Sequence, residues 1–346
     1  MTSTVSVVIV TYDGWPHLRS CLSALRDQRR CPDEILVVDN GSRDGTVDAL
    51  AREFPEVAVI EAGRNLGFAA GNNLGIRRAH GDVVVLLNND VTPDPAFIDA
   101  VLEPLAADSA IGAVAASLVF SAAPDVVASA GIRVFANGVA LDRGLGEDIT
   151  ALPSGAAVFG ASAGAAAYRR GALEDVGLFA EPFFMYLEDV DLAWRLRLRG
   201  WSAVHAGDAV ARHAYSASSV EGSPLKRRLL ARNRIWTLAR CLPRPLLVRN
   251  LPRIAAYDAA AFGYALIHGD RASLLGRVEG VAGVPGRMQE RRSIQSRVSV
   301  SMASLAGWLE PPPGPAEMLR LRRLTAALAS GGRDLEASLG SSEAAR

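Results

Sequence analysis

The sequence predicts an α/β protein: a central, mostly parallel sheet with helices on both faces, followed by a C-terminal α-helical extension. Three observations carry this. Short runs of Val, Ile and Leu recur at residues 5–10, 35–38, 57–60 and 83–87, the composition of strands buried on both faces. Between them, residues 47–54 and 69–79 place apolar side chains at helical spacing, and such βαβ alternation makes neighbouring strands parallel. Beyond Lys226 the pattern gives way to Arg-rich amphipathic stretches broken by Pro243, Pro245 and Pro252.

Taken in order, Leu18, Cys21, Leu22 and Leu25 mark the first helix, residues 95–105 another, and residues 111–120 a further strand. Residues 121–153 are rich in Gly, Ala and Asp and weakly periodic; they read as a variable insert of loops and hairpins. Patterning returns at 159–170 and at 188–199, a helix with Leu192, Leu196 and Trp201 on its apolar side. Two short strands, 202–205 and 209–213, are expected to close the body. After the Pro-rich run at 311–315 one helix fits residues 316–329, and the Gly/Ser-rich end is expected to be mobile. The layout is therefore a body at 1–220, a basic helical region at 221–300 and a tail at 301–346, without internal repeats.

The chain of 346 residues is 49% hydrophobic, enough for a packed core and too apolar for global disorder. Its net charge of zero conceals an asymmetry. Residues 1–215 hold 17 basic and 27 acidic side chains, whereas residues 216–300 hold 15 and 5. A basic block behind an acidic body points to an anionic contact, a lipid surface or a nucleic acid. No nucleic-acid-binding motif accompanies it, so an anionic membrane surface is the expected partner. Cys21, Cys31 and Cys241 are odd in number and far apart, which fits a reduced cytosol better than a disulfide framework. The start resembles no signal peptide, and the best apolar stretch of the helical region, 254–267, is 14 residues long and broken by Asp258. A cytoplasmic protein, peripheral on the inner face of the cell membrane, is expected.

Chemistry is concentrated where the strands end. An open parallel sheet binds its ligands outside the carboxyl ends of its strands, and three of the runs stop at Thr11-Tyr12-Asp13, Asp39-Asn40-Gly41-Ser42 and Asn88-Asn89-Asp90. Asp39 could accept a hydrogen bond from a pyrimidine ring N–H or a ribose hydroxyl; equally, Asp, Asn and Ser there could cap the next helix. Asp13 carries the same ambiguity. Asp90 could hold a divalent cation against a diphosphate, an attraction of roughly 4 kcal/mol per charge pair at an effective dielectric near 20. Glu188, Asp189 and Asp191 open a helix; carboxylates this close repel one another and raise a pKa, as a general base requires. Acids also suit a helix start, and Asp191 can pair with Arg195 one turn on. Arg64 and Asn65, in the glycine-rich GRNLGFAAGNNLG at 63–75, could face phosphate or base. Neither a G-x-G-x-x-G fingerprint nor a Walker A loop is present, which disfavours a dehydrogenase and a P-loop NTPase.

As an ordered set, VSVVIVTY, VVDNGSRDGT, NLGFAAGNNLG, LLNNDV and YLEDVDLAWR resemble the inverting family-2 glycosyltransferases of the GT-A fold, a Rossmann-like α/β architecture. The similarity is greatest to the bacterial rhamnosyltransferase-like branch and covers about residues 4–215. It implies that Thr11, Asp39 and Asn65 contact the nucleoside, that Asp90 takes the metal role of the family's D-x-D, and that Asp189 is the base, supported by Glu188. It places His213 where relatives have a histidine metal ligand. One departure is Asn88, which stands where the family's first Asp does and keeps an oxygen but not a charge; another is Ala180, where Asp is usual. The expected nucleotide side is thus Thr11, Asp13, Asp39, Arg64, Asn65, Asn73 and Asn89, and the metal side Asp90, His213 and Asn88 with Mg²⁺ or Mn²⁺.

The reading is an inverting transfer from a nucleotide-diphospho-sugar, dTDP-rhamnose or a UDP-sugar favoured, to a hydroxyl of a lipid-linked or polysaccharide acceptor. Association into a homo-oligomer is compatible with it. A catalytically silent nucleotide-sugar or glycan-binding module is the alternative, which Asp90 and the Glu188-Asp189 pair oppose. Nucleotidyl transfer wants a basic Gly-rich loop that residues 11–20 lack.

Overall fold

The computed structural model describes residues 3–214 and 222–329. The junction between body and helical region, and the Gly/Ser-rich end expected to be mobile, lie outside the described residues. The body opens with β1 (Val5–Thr11), α1 (Trp15–Arg26), β2 (Glu34–Asp39), α2 (Thr46–Glu53), β3 (Ala58–Glu61), α3 (Gly67–Arg78) and β4 (Val83–Asn88). It continues through β5 (Val91–Pro93), α4 (Phe97–Ala107), β6 (Ile111–Phe120), β7 (Ala123–Ser129), β8 (Ile132–Phe135) and β9 (Ala140–Asp142). Then come β10 (Ala165–Arg169), α5 (Arg170–Val176), α6 (Glu188–Leu198) and β11 (Ser202–His213).

The main sheet has the order β3-β2-β1-β4-β10-β6-β11-β5, with β7 beside β6. β1 pairs in parallel with β2 and β4, β2 with β3, and β6 with β11; β10, β5 and β7 run against their neighbours. The period-two alternation of β1 divides its side chains between two cores. Val5, Val7 and Ile9 pack with α1 and α4, and Val8 packs with α3, α5 and α6. Gly75 lets α3 lie on this second face: a Cβ there would run into Val8 and Val38.

Two expectations change in detail. The strands expected at 202–205 and 209–213 form one long strand, β11, interrupted by a register shift between Ala206 and Val210. The weakly periodic insert is ordered: β7 joins the main sheet, while β8 and β9 form a small second sheet with β12 (Leu309–Glu310) from the far end of the chain.

The helical region comprises α7 (Pro224–Cys241), α8 (Arg244–Ile267), α9 (Arg271–Ala282), α10 (Val284–Gln295) and α11 (Met302–Ala306), with α12 (Pro315–Ala329) after β12. It shares a core with the body, in which Val190, Ala193 and Trp194 of α6 meet Cys241, Leu246, Ile254 and Leu305. Gly276 and Gly280 bring α9 against the backbone of Arg228 and against Ile235 of α7. Several of the arginines are paired within the molecule: Arg227 with Asp270 and Arg228 with Glu279 near the surface, and the buried Arg234 with Asp258 and Arg240 with Asp191. Outward, α8 and α9 present Val248, Leu251, Phe262, Leu266, Ile267, Leu275, Val278 and Val281. Among the described residues no helix is long and apolar enough to cross a membrane.

Candidate active site

The β1–β2 register sets Thr11 opposite Asp39, both buried at the same end of the sheet. Asp39 turns its carboxylate back on its own loop, accepting from the backbone N–H of Gly41 at 3.1 Å and of Ser42 at 3.2 Å. Asp13, at a positive φ of 46°, accepts from the Arg43 N–H at 2.6 Å and donates its own N–H to Ser42 Oγ. Both acids therefore shape the 40–43 loop, and neither caps α2, whose N-cap is Gly45 and which receives no side-chain capping bond. Across the corner, Asn40 donates to the Gly67 carbonyl at 3.1 Å, and the backbone of Arg64 lies where a Cβ on Gly41 would sit. Arg64 and Asn65 remain exposed there. Asn73 does not join them. It is buried with its amide donating to the Phe179 carbonyl and Glu181 and accepting from the Phe179 N–H, so both ends of its amide serve packing.

The chain leaves β4 through Asn89 and Asp90 and folds directly into β5. Because β5 pairs with the last residues of β11, Asp90 meets His213, with Asp90 Oδ1 and His213 Nε2 3.1 Å apart. Asn89 donates to Thr11 Oγ1 at 3.1 Å. Asn88 takes a backbone bond from its own N–H to Gly164 O at 2.9 Å, and one residue before Gly164 the Ala163 N–H donates to Asp189 Oδ2 at 3.3 Å. A continuous run of contacts thus links Asp39 and Thr11 through Asn89, Asp90 and Asn88 to Asp189.

The segment leading to Asp189 is bent. Phe184, Tyr186 and Leu187 have φ of 66°, 68° and 65°, and Met185 N–H bonds back to Phe183 O at 2.8 Å, a γ-turn of the rarer hand. Such conformations cost about 1–3 kcal/mol each and persist only where surroundings fix them.

The family model for glycosyl transferase family 2 matches residues 6–177. The N-acetylglucosaminyl-diphospho-decaprenol L-rhamnosyltransferase of Mycobacterium tuberculosis is 32% identical over 236 residues, 62% of this chain and 76% of that protein. The chain belongs to glycosyltransferase family 2. Solved structures agree in fold. The mannosyltransferase PcManGT of Pyrobaculum calidifontis, in complex with GDP-Man and Mn²⁺, superposes with a TM-score of 0.50 at 19% identity, covering 98% of this chain and 88% of that one. GalNAc-T7 with UDP, GalNAc and Mn²⁺ gives 0.54 at 15% identity, over 70% and 51%.

In this glycosyltransferase the two sides of the site differ electrically. Burial works against ionising Asp90, but the hydrogen bond and charge of His213 outweigh it and hold that carboxyl below its ordinary range. Asp189 shows the opposite: burial first, then the negative charge of Asp142, push it up to about 6. Glu188 is raised well above its ordinary value by burial and by Asp189, and its Oε2 is buried with no hydrogen-bond partner among the described residues. The pair therefore keeps a proton where ordinary carboxylates have lost theirs. Asp191 adds to the negative charge that raises Glu188, but it is itself held ionised. It is buried between Arg195 and Arg240, at 2.8 and 2.7 Å, as structural support.

Among the described residues no three His, Cys, Asp or Glu side chains gather as a metal cage. Asp90 and His213 instead offer one carboxylate and one imidazole. That sparse set fits a cation which takes its other ligands from a diphosphate and water. Sequence reasoning missed Asp142, whose charge bears on Asp189. It ends β9 inside the insert, where no periodicity marks it.

Proposed function

We propose that this glycosyltransferase inverts configuration while moving a sugar from a nucleotide-diphospho-sugar, with dTDP-rhamnose or a UDP-sugar favoured, to a hydroxyl of a lipid-linked or polysaccharide acceptor in cell-envelope glycan biosynthesis. The observation that carries the reading is the run of contacts joining the Asp39 corner, the Asp90–His213 pair and Asp189. The name of the mycobacterial relative supports rhamnose and a polyprenol diphosphate acceptor. Thr11, Asp39, Arg64 and Asn65 would receive the nucleotide. Asp90 and His213, with the Asn88 amide nearby, would hold Mg²⁺ or Mn²⁺, which neutralises the departing diphosphate. Asp189, half-ionised near pH 6 and largely ionised at neutral pH, takes the proton of the acceptor hydroxyl as its oxygen attacks the anomeric carbon from the opposite face, with Glu188 beside it.

A screen of nucleotide sugars by thermal shift with each cation identifies the donor. With dTDP-L-rhamnose and N-acetylglucosaminyl-diphospho-decaprenol, Asp189→Asn should lose about 10²–10⁴-fold in kcat and bind the nucleotide as before. Full turnover by that variant would remove the base assignment. The exposed apolar side chains of α8 and α9 support residence on a membrane surface, where a lipid-linked acceptor resides.

A further inference from the structure

We propose that Asn233 is a positioning residue for the transfer, a clasp on helix α7 that holds residues 183–187 in the shape that presents Asp189. The inference rests on the reading of Asp189 as base. Asn233 is wholly buried, and its Nδ2 converges on three carbonyl oxygens of one segment: Phe183 at 3.1 Å, Met185 at 3.0 Å and Tyr186 at 2.7 Å. Its Oδ1 accepts from Arg232 Nε at 2.9 Å, which fixes the amide the right way round. Three carbonyls turned to one side are what a chain with Phe184, Tyr186 and Leu187 at positive φ produces, and none of the three is glycine. Such a bend needs an outside donor, since backbone oxygens crowded together repel unless an N–H lies between them.

The opposite side of the segment is held by the donor corner. The Ala69 N–H donates to Phe184 O at 3.0 Å, and Gly67, at φ 77°, lies so close under Phe184 that a Cβ would collide with it. Leu187 then leads directly into Glu188 and Asp189. The segment is thus clamped between the nucleotide side, through α3, and the helical region, through α7. The helical region so becomes part of the catalytic arrangement.

The test uses the full chain with Asn233→Ala and the milder Asn233→Ser, which keeps one donor. Hydrogen exchange of the free protein should show faster exchange at amides 184–190 and unchanged protection in β1, β2 and β4. With dTDP-L-rhamnose and N-acetylglucosaminyl-diphospho-decaprenol, kcat should fall about 10–100-fold in Asn233→Ala with donor KM within about threefold, Asn233→Ser lying between. The acid limb of the pH profile should move down toward the ordinary carboxylate range as the half-buried Asp189 becomes more exposed. A merely structural role lowers the amount of folded enzyme and leaves that limb in place. If Asn233→Ala does not fold, Asn233→Ser carries the same comparison. Wild-type exchange, kcat and acid limb in a folded variant overturn the clasp while an inactive Asp189→Asn leaves the base assignment standing. An active Asp189→Asn removes both.

Discussion

Asp90 and Asp189 are carboxylates of one site whose surroundings act in opposite directions. The imidazole beside Asp90 favours its charge, as cation binding requires; the burial of Asp189, with Asp142 nearby, favours its proton, as a base working near neutrality requires. Two outcomes follow. Turnover should fall as pH drops through about 6, because the proposed base is then protonated, and a profile flat from pH 5 to 8 would exclude Asp189 as the titrating group. The same shift bears on stability with a definite sign. The folded chain binds the Asp189 proton more tightly than the unfolded chain, so this contribution is full below about 4 and lost as pH rises through about 6. His213→Ala should weaken nucleoside diphosphate binding about tenfold in the presence of Mn²⁺ and leave the metal-free affinity unchanged. Calorimetric titration with and without the cation reads both.

At the scale of elements, α6 is the support on which the chemistry rests. Asp191, in its first turn, is fully buried between Arg195 and Arg240, and Arg195 also donates to the carbonyls of Val176, Gly177 and Leu178. Removing the carboxylate leaves the buried guanidinium of Arg195 without its anion and Arg240 with Glu290 alone. Asp191→Ala should therefore cost about 3–5 kcal/mol in chemical denaturation, far more than an exposed pair such as Arg19–Glu53, where loss should be within about 1 kcal/mol. The first four strands, their helices and the strand-end acids were legible because burial and periodicity are local. Asp191–Arg195 was legible too, as an i,i+4 pair. The insert was not, since β8 and β9 are completed by β12, more than 160 residues away. Asn73 was misplaced for the same reason: Phe179, its partner, lies 106 residues further along. Asn233 carries no signal at all, being one polar residue in an Arg-rich helix.

At the scale of the whole molecule, only part of the basic excess of the helical region faces outward. Asp258, Asp270 and Glu279 are turned toward arginines within the helical region, while Arg244, Arg249, Arg253 and Arg271 stay exposed near the outward Val, Leu and Ile of α8 and α9. An apolar surface flanked by positive charge suits an anionic lipid face. Each buried large apolar side chain adds about 1.5–3 kcal/mol, against about 1 kcal/mol for each arginine near the surface. The full chain should therefore float with phosphatidylglycerol vesicles even at high salt, and Leu251→Ser with Ile267→Ser should abolish flotation under both conditions. Binding that vanishes with salt alone would instead assign the attachment to the arginines.

The hydrogen bond between Asp90 and His213 joins residues 123 positions apart, because the first follows the fourth strand and the second ends the last strand of the main sheet. A polypeptide still emerging from the ribosome would thus form the Asp39 corner long before it could pair Asp90 with His213. If that pair holds the cation as proposed, a grip on the donor diphosphate arrives only when β11 is laid down.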